Sequence, residues 1–212
     1  GLDVMEYWKE SFINTKYIGY YLRDSNRIAK YEKISRKIKT EYISEDIIQK
    51  YNLNLINEFS AYCNGMDCLF ISGGDNKHFW KINLETSEYN HYKDVLPFSK
   101  KFHSMLFIPD KYVIIVGGND KEVVCFNILE NSIIKHSTLN EDKYEPSLGL
   151  VDNNILYAFS TQNSQLSIER ISLSLTNKWT SLPKLSFTKN IFAISLHSKS
   201  EDRKSTRLNS SH

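Results

Sequence analysis

Two polar turns and a lysine pair contain the side chains best suited to bind a charged or hydrogen-bonding partner. Each turn directly follows a pair of glycines and carries carboxylate, amide, ammonium or imidazole groups. The lysine pair lies between the turns in sequence and suits acidic groups of a partner. Alternatively, these residues serve only to form turns, for which Asn and Asp are well suited. The candidate residues are Asp75, Asn76, Lys77, His78, Lys100, Lys101, Asn119, Asp120 and Lys121.

The glycine pairs, Gly73-Gly74 and Gly117-Gly118, each end an apolar run. Glycine-rich loops bind phosphate when they open a helix and, in the P-loop, end in Lys-Ser or Lys-Thr. Neither pair has that continuation. We therefore assign the four glycines a structural role. They permit backbone angles that other residues avoid, and they let a neighbouring side chain approach the backbone closely.

The histidines and cysteines show no pattern typical of a metal or catalytic site. Five of the six histidines fall in different parts of the chain, without close pairing and without a carboxylate at ligand spacing. The three cysteines form no metal-ligand or redox motif, which favours free thiols in a reducing compartment. We therefore predict no metal, no cofactor and no catalytic residue. The residues considered are His78, His91, His103, His136, His197, Cys63, Cys68 and Cys125.

Composition excludes several classes of partner. The chain has 212 residues, of which 41% are hydrophobic and 25% charged, values ordinary for a globular domain. A formal net charge of +2 is too small to indicate binding to nucleic acid or to a membrane surface. No apolar run approaches the length of a membrane span. We expect a cytoplasmic protein that binds neither nucleic acid nor membranes.

The elements that must position the candidate residues repeat along the chain. Each glycine pair lies between two apolar runs, with a polar turn after it, and Gly118 follows Gly74 by 44 positions. Weaker copies without the glycines are centred on Arg23 and Thr161. Repetition at this period is typical of stacked supersecondary units.

Each unit is predicted to contain four short strands, because runs rich in Ile, Val, Tyr and Phe alternate with Asn, Asp, Gly and Ser. Such units predict an all-β fold, a partial β-propeller of about four blades plus the start of a fifth. The stretch 44–55 is predicted to be a short helix or an extended loop. The predicted blades are residues 9–43, 59–94, 103–138 and 148–184, and the fifth begins at 187–197.

The glycine pairs and one Trp motif resemble the kelch family of β-propellers. In that family a Trp precedes a Leu-Pro turn, as Trp179 precedes Leu182-Pro183 here, while Leu96-Pro97 keeps only the Leu-Pro part. The resemblance covers residues 9 to about 197, although the glycine pairs occur only in the two central units. It implies that the turns after second strands and the links between blades lie on one face. In the family, that face commonly binds peptide segments of partners.

The resemblance implies a protein–protein interaction module, such as a scaffold or substrate adaptor, and not an enzyme. Its partner would be another protein or a peptide, and the pair Lys100 and Lys101 suits an acidic one. The alternative is an enzyme on the same fold, such as a galactose-oxidase-like oxidase or a sugar epimerase, with its site outside this chain. Fold alone does not separate these functions, because function resides in the site.

The last eleven residues, 202–212, match the conceptual translation of a common sequencing adapter. The adapter DNA, GATCGGAAGAGC and onward, encodes Asp202-Arg203-Lys204-Ser205 and the residues that follow. We therefore expect 202–212 to be a non-native tail. The expected domain is residues 1–201, an incomplete kelch-like propeller.

Overall fold

The computed structural model describes residues 15–109, 112–118, 120–162, 165–174 and 178–186. Within these residues the chain folds into four antiparallel sheets, numbered I to IV in chain order, and one short helix. The prediction of an all-β fold is therefore confirmed. No helix in the described ranges is both long enough and apolar enough to cross a membrane.

Each sheet is a meander whose strands pair in the order in which they occur along the chain, except that β16 of sheet IV pairs with β14. Sheet I contains β1 (Tyr17–Leu22), β2 (Arg27–Glu32) and β3 (Lys37–Tyr42). Sheet II contains β4 (Ser60–Gly65), β5 (Cys68–Gly73), β6 (Phe79–Asn83) and β7 (Tyr89–Tyr92). Sheet III contains β8 (His103–Ile108), β9 (Tyr112–Gly117), β10 (Glu122–Asn127) and β11 (Ser132–Thr138). Sheet IV contains β12 (Ser147–Val151), β13 (Ile155–Gln162), β14 (Gln165–Ser172), β15 (Thr180–Ser181) and β16 (Leu185–Ser186), and β16 also pairs with β14.

The structure decides between the helix and the loop predicted for 44–55, and it shows a shorter last strand than the sequence pattern predicted for the unit 148–184. The stretch 44–55 contains helix α1 (Glu45–Tyr51) and a 3-10 turn (Leu53–Leu55), so it is the helix and not an extended loop. In the unit predicted at 148–184, the run 178–182 pairs only at Thr180–Ser181. Pro183 follows directly and has no N–H to continue a ladder.

Several predicted segments lie outside the described residues. These are residues 9–14 of the first predicted blade, the start of the fifth blade expected at 187–197, and the tail 202–212. Sheets II and III each have the four strands expected of a unit.

The sheets pack face to face, which explains the continuous apolar runs in the central strands. Successive side chains of a strand point to opposite faces of its sheet. In β9, Val113 and Ile115 pack in the core between sheets II and III, while Ile114 and Val116 pack in the core between sheets III and IV. Both faces of such a strand are buried, so its residues are apolar without alternation. By contrast, every residue of β3 is exposed.

The first strands of sheets II, III and IV lie side by side, β4 beside β8 and β8 beside β12. We call β4, β8 and β12 the inner strands. Ser60, His103 and Ser147 begin them, and each is reached by a link from the preceding sheet. Because Ser60 pairs with Gly73 and His103 with Gly117, the glycine pairs lie at this same end of the sheets. We call it the link end, and the opposite end the hairpin end.

Candidate functional site at the link end

All four glycines of the two pairs have positive φ angles, 69° and 96° at Gly73 and Gly74 and 74° and 97° at Gly117 and Gly118. L-residues rarely adopt such angles, so glycine is favoured on conformational grounds alone. Space is also lacking, because a Cβ on Gly73 would overlap the carbonyl oxygen of Lys100 and the imidazole of His103. Both physical reasons for glycine therefore apply at the link end.

The link between sheets II and III is held by Lys100, through its backbone and its side chain. The N–H groups of Gly74 and Asp75 both donate to the Lys100 carbonyl oxygen at 2.9 Å. The Lys100 ammonium is completely buried and donates to the Asp120 carboxylate at 2.6 and 2.8 Å and to the Gly117 carbonyl at 2.9 Å. Burial lowers the pKa of Lys100, and Asp120 opposes that shift. We call this set of contacts the II–III junction.

The expected pair of surface lysines is therefore corrected at Lys100. Its ammonium points into the protein, and only Lys101 keeps a partly exposed side chain. Lys101 in turn forms an ion pair with exposed Asp75 at 3.5 Å. The physical reason is the backbone pairing of Lys100 with the turn after Gly74, which directs its side chain toward Asp120 of the next sheet.

A second buried lysine occupies the link between sheets III and IV. The Gly118 N–H donates to the carbonyl oxygen of Lys143 at 3.0 Å. The Lys143 ammonium donates to Ser167 at 2.8 Å and lies 3.4 Å from the Glu169 carboxylate, and neither charged side chain is exposed. Glu169 also accepts hydrogen bonds from the N–H groups of Asn140 and Glu141, at 2.7 and 3.1 Å. We call this the III–IV junction.

The remaining predicted residues differ in their exposure. Lys77 is exposed, Asn76 is half-buried and donates to the Leu55 carbonyl at 3.1 Å, and Lys121 donates to the Asn140 carbonyl at 2.9 Å. Asn119 lies outside the described residues. The turns thus present Asp75, Lys77, Lys101 and Lys121 to solvent, while Lys100 and Asp120 connect sheets.

His78 is buried and belongs to a ring cluster beside helix α1. Its Nδ1 lies 2.9 Å from Nε2 of His91, and the His91 ring stacks on Trp80 with an interplanar angle of 5°. The Trp80 indole N–H donates to the Tyr51 carbonyl at 2.9 Å. Burial lowers the pKa of both histidines, and this keeps them neutral at physiological pH. The two are thirteen positions apart, with His78 directly before β6 and His91 in β7, so sequence spacing did not reveal their pairing. Within the described residues, no group of three or more His, Cys, Asp or Glu is placed to hold a metal ion.

Trp179, predicted as a structural residue, is buried between sheets III and IV. Its indole N–H donates to the Ser137 hydroxyl at 2.9 Å. It therefore packs one sheet against the next and does not reach the surface.

An arc of three aromatic rings crosses the link end, and the sequence analysis missed it. Phe59 and Phe102 lie 4.8 Å apart between ring centroids, and Phe102 and Tyr144 lie 4.5 Å apart. Each ring comes from a different link, at the residue before Ser60, before His103 and before Glu145. Tyr144 is 45% exposed, and the two phenylalanines are half-buried. The available signal was this recurrence of an aromatic residue one to three positions before three successive inner strands. We call Phe59, Phe102 and Tyr144 the aromatic arc.

The backbone is strained at one arc residue and directly after another. Phe102 has a φ angle of 56° and Glu145 one of 43°, in the left-handed region that bulky residues avoid. The Glu145 N–H donates to the Phe102 carbonyl at 2.8 Å, which connects the two links. Such residues cost about 1–3 kcal/mol each and persist only where the surroundings hold them, often at functional sites.

An open cavity of about 510 Å³ also lies at the link end, and none of the three rings is among its lining residues. It is lined at the start of the inner strands by residues that include Ser60, His103, Ser104, Glu145, Pro146 and Ser147. His103 is 6% exposed, and burial lowers its pKa to about 3, so its imidazole is neutral. Its Nε2 lies 2.7 Å from the Ser72 hydroxyl, whereas its buried Nδ1 has no hydrogen-bond partner. Ser72 is completely buried, so this Ser–His pair offers no accessible nucleophile.

A second cavity of about 470 Å³ lies at the hairpin end of the inner strands and is mainly apolar. Tyr17, Cys63, Leu106, Phe107 and Leu150 are among its lining residues. Burial raises the pKa of the Cys63 thiol, so the thiol stays protonated and is a poor nucleophile. All three cysteines are free.

Comparison with known proteins extends to fold alone. No protein-family model matches the chain, and no curated protein matches it. Among 168 solved chains that do match, the hydrazine synthase of Kuenenia stuttgartiensis aligns with a TM-score of 0.55 at 9% identity. The alignment covers 82% of this chain and 47% of the other, so this chain spans about half the length of that neighbour. The chain therefore shares its arrangement of sheets with solved proteins, and this likeness assigns it no activity.

Proposed function

We propose that this chain is part of a kelch-like β-propeller that binds a partner protein or peptide at its link end, in the cytoplasm. The observation that carries the proposal is the aromatic arc, in which half-buried Phe59 and Phe102 and 45%-exposed Tyr144 meet from three links. Aromatic residues are enriched at protein interfaces and among the residues that contribute most to binding.

The propeller interpretation is supported by the repetition of the sheets. Four successive meanders stack face to face, and the first strands of three of them lie side by side. Two of the meanders carry a glycine pair at the end of the second strand, as expected from the kelch resemblance. Free cysteines agree with a reducing compartment.

The rigidity of the links supports binding at this end. Lys100 and Lys143 hold the links through buried ion pairs and through hydrogen bonds to the glycine turns. Phe102 and Tyr144 therefore lie on hydrogen-bonded links, and an ordered surface loses little conformational entropy when a partner binds. Around it, Asp75, Lys101 and Lys121 provide a polar rim, which is the usual surrounding of an apolar interface centre.

We favour binding over catalysis because of the state of the groups that could act as nucleophiles. Ser72 is buried, His103 is neutral with its pKa lowered to about 3, and the Cys63 thiol is protonated. A catalytic base or nucleophile needs a pKa suited to its task and access to substrate.

Selection from a displayed library of random peptides tests the proposal. The double variant Phe102→Gly with Tyr144→Ser removes two rings of the arc, and glycine suits the positive φ at position 102. The matched control is Leu129→Ser, which removes an apolar side chain that is 84% exposed at the hairpin end. Peptides selected on the unmodified chain should lose at least tenfold in affinity for the double variant and bind the control unchanged.

Two results would contradict the proposed function. One is a selection that enriches no peptide on a folded chain. The other is a set of enriched peptides that bind the double variant as tightly as the unmodified chain, which would place the binding surface elsewhere.

A further inference from the structure

We infer that two copies of this chain associate through β3, the outer strand of sheet I, and form one continuous antiparallel sheet across both molecules. The two-fold axis passes beside Thr40, which lies opposite Thr40 of the second copy. This interface is independent of the peptide-binding surface proposed above.

The strand β3 is an open sheet edge. It pairs with β2 on one side, and among the described residues no strand pairs with its other side. All of its residues, Lys37–Tyr42, are exposed. Such an edge presents a row of backbone N–H and C=O groups, which can pair with a strand of another molecule.

The outer strands of the other sheets are protected in ways that β3 is not. In sheet II, β7 is a short strand without exposed residues, and helix α1 packs against it. In sheet III, the pairing of β11 has a register shift opposite Val123 and Val124. In sheet IV, β15 and β16 have only two residues each. Short strands and bulges are common protections of sheet edges, whereas β3 has six residues and pairs with β2 without a shift.

The hydrogen bonds between β2 and β3 determine which backbone groups of β3 face outward. The Ile43 N–H donates to the Asn26 carbonyl oxygen at 2.8 Å, one position beyond the pair of Arg27 with Tyr42. Residues that bond to the neighbouring strand alternate with residues whose backbone groups point away from it. The residues that bond to β2 are therefore Lys37, Lys39 and Glu41, and those that face outward are Ile38, Thr40 and Tyr42.

This alternation limits how a second copy can pair. Outward-facing residues must lie opposite outward-facing residues, so a two-fold axis near the middle of β3 passes beside Lys39, Thr40 or Glu41. An axis at Lys39 would set two lysines directly opposite each other, and one at Glu41 two glutamates. Like charges directly opposite are destabilising. The axis at Thr40 avoids both.

With the axis at Thr40, the side chains of β3 complement those of its copy on the outer face of the sheet. Ile38 then lies opposite Tyr42 of the second copy, and Thr40 lies opposite itself. Aromatic with β-branched residues and Thr with Thr are favourable cross-strand pairs. Ile38 is 72% exposed and Tyr42 67% exposed, so pairing also removes apolar surface from water.

The other face of β3 is complementary in charge. Lys39 then lies opposite Glu41 of the second copy, and Lys39 forms no ion pair within the described residues. Glu41 binds Lys30 at 2.6 Å and Ser87 at 3.3 Å, both through Oε2. Its Oε1 therefore remains for the ammonium of Lys39 of the second copy.

The residues that flank β3 continue this complementarity. Arg36, directly before the strand, is exposed, and so are Glu45 and Asp46 after it. Antiparallel pairing brings the start of each strand beside the end of the other. The basic flank of one copy therefore meets the acidic flank of the second copy at both ends of the interface.

Disulfide cross-linking tests the position of the two-fold axis. Thr40→Cys sets two thiols on directly opposite residues with Cα atoms about 5.5 Å apart, a separation that suits a disulfide. We expect mild oxidation to convert this variant to a covalent dimer. The matched control is Ile38→Cys, on the same face of the same strand, which lies opposite position 42 and should cross-link no faster than the unmodified chain. Equal rates for Thr40→Cys and Ile38→Cys would overturn the inference.

Sedimentation equilibrium measures the association without cross-linking. Thr40→Pro removes an outward N–H from each copy and leaves the bonds to β2 in place. It should raise the dissociation constant of the dimer about tenfold or more, because two hydrogen bonds are lost. Lys39→Glu should weaken the dimer as well, since it sets a glutamate opposite Glu41. The control Lys93→Glu makes the same charge change at an exposed residue after β7 and should leave the dimer unchanged.

Three results would overturn the inference. One is a chain that stays monomeric at every concentration. Another is a dimer that Thr40→Pro and Lys39→Glu leave unchanged, which would place the interface elsewhere. The third is growth beyond the dimer, because two-fold pairing uses the open edge of β3 in both copies and stops at two. Melting temperatures of the variants close to that of the unmodified chain establish that a lost dimer is not a lost fold.

Discussion

The II–III and III–IV junctions each connect two neighbouring sheets through a buried lysine, but the acidic partner of the lysine differs between them. In each, the backbone carbonyl of a lysine in the link accepts a hydrogen bond from the N–H of a glycine in the preceding sheet. The side chain of the same lysine places its buried ammonium against an acidic side chain of the next sheet. At the II–III junction the acid is Asp120, in the turn after the glycine pair, and its side chain is 29% exposed. At the III–IV junction it is Glu169, in the middle of β14, and it is completely buried.

The difference shows that the repeat preserves an interaction and not a sequence position. Lys100 lies three residues before its inner strand, and Lys143 lies four residues before its own. The partner acid moves from a turn to a strand. An acid at either position can pair with the link lysine, because a lysine side chain is long and flexible enough to reach both. The difference in burial also sets how strongly each junction depends on its lysine.

Lys143→Met should have the largest effect on stability. It leaves the Glu169 carboxylate buried without its cation, a change that costs about 3–5 kcal/mol in buried pairs. Urea unfolding of the variant and of the unmodified chain measures the difference in free energy. Adding Glu169→Gln to Lys143→Met should recover part of the loss, because it removes the uncompensated charge. A loss below about 1 kcal/mol would show that the two junctions do not differ as described.

Lys100→Met should have a smaller effect, about 1–3 kcal/mol. Asp120 is partly exposed and can be solvated once the ammonium is gone, whereas Glu169 cannot. The control is Lys101→Met at the neighbouring position. Its ion pair with Asp75 is largely exposed, so the loss should stay below about 1 kcal/mol. A loss for Lys100→Met equal to that for Lys143→Met would remove the contrast between the junctions.

Acid should weaken the contact of His103 with Ser72 beside the II–III junction. This is the smallest of the three effects near neutral pH. The pKa of His103 is lowered to about 3 in the folded state, from an ordinary value of 6.5. The unfolded state therefore binds more protons between these values, and stability falls as the pH drops below about 6.5. The loss from this group is about 1.4 kcal/mol at pH 5.5.

His103→Gln isolates that contribution. Glutamine keeps an N–H for Ser72 but does not titrate, so unfolding free energy should depend less on pH in the variant between pH 7.5 and 5. His78, His91 and His136 also have lowered pKa values and remain in both proteins. Identical pH profiles for the two proteins would show that His103 does not titrate in this way. Pro146 lies next to Gly117 as His103 lies next to Gly73, and proline has no side chain that titrates.

Much of the fold follows from the order of residues along the chain. The alternation of apolar runs with polar turns predicted an all-β chain, because strand pairing is local within each meander. The glycine pairs indicated strained turns, and Gly73, Gly74, Gly117 and Gly118 all have positive φ. The same local pattern could not tell whether a polar turn residue faces water or the next sheet.

The candidate site was decided by tertiary structure. Lys100 and Lys101 are neighbours in sequence, yet one is buried and the other partly exposed, because the backbone pairing of Lys100 with Asn76 turns alternate side chains in opposite directions. Phe59, Phe102 and Tyr144 come from links about forty residues apart and meet only when the inner strands lie side by side. Sequence by itself determined the repeating strands, since hydrogen bonding within a meander is local. Stacking of the sheets alone decided which charges are buried and which rings meet.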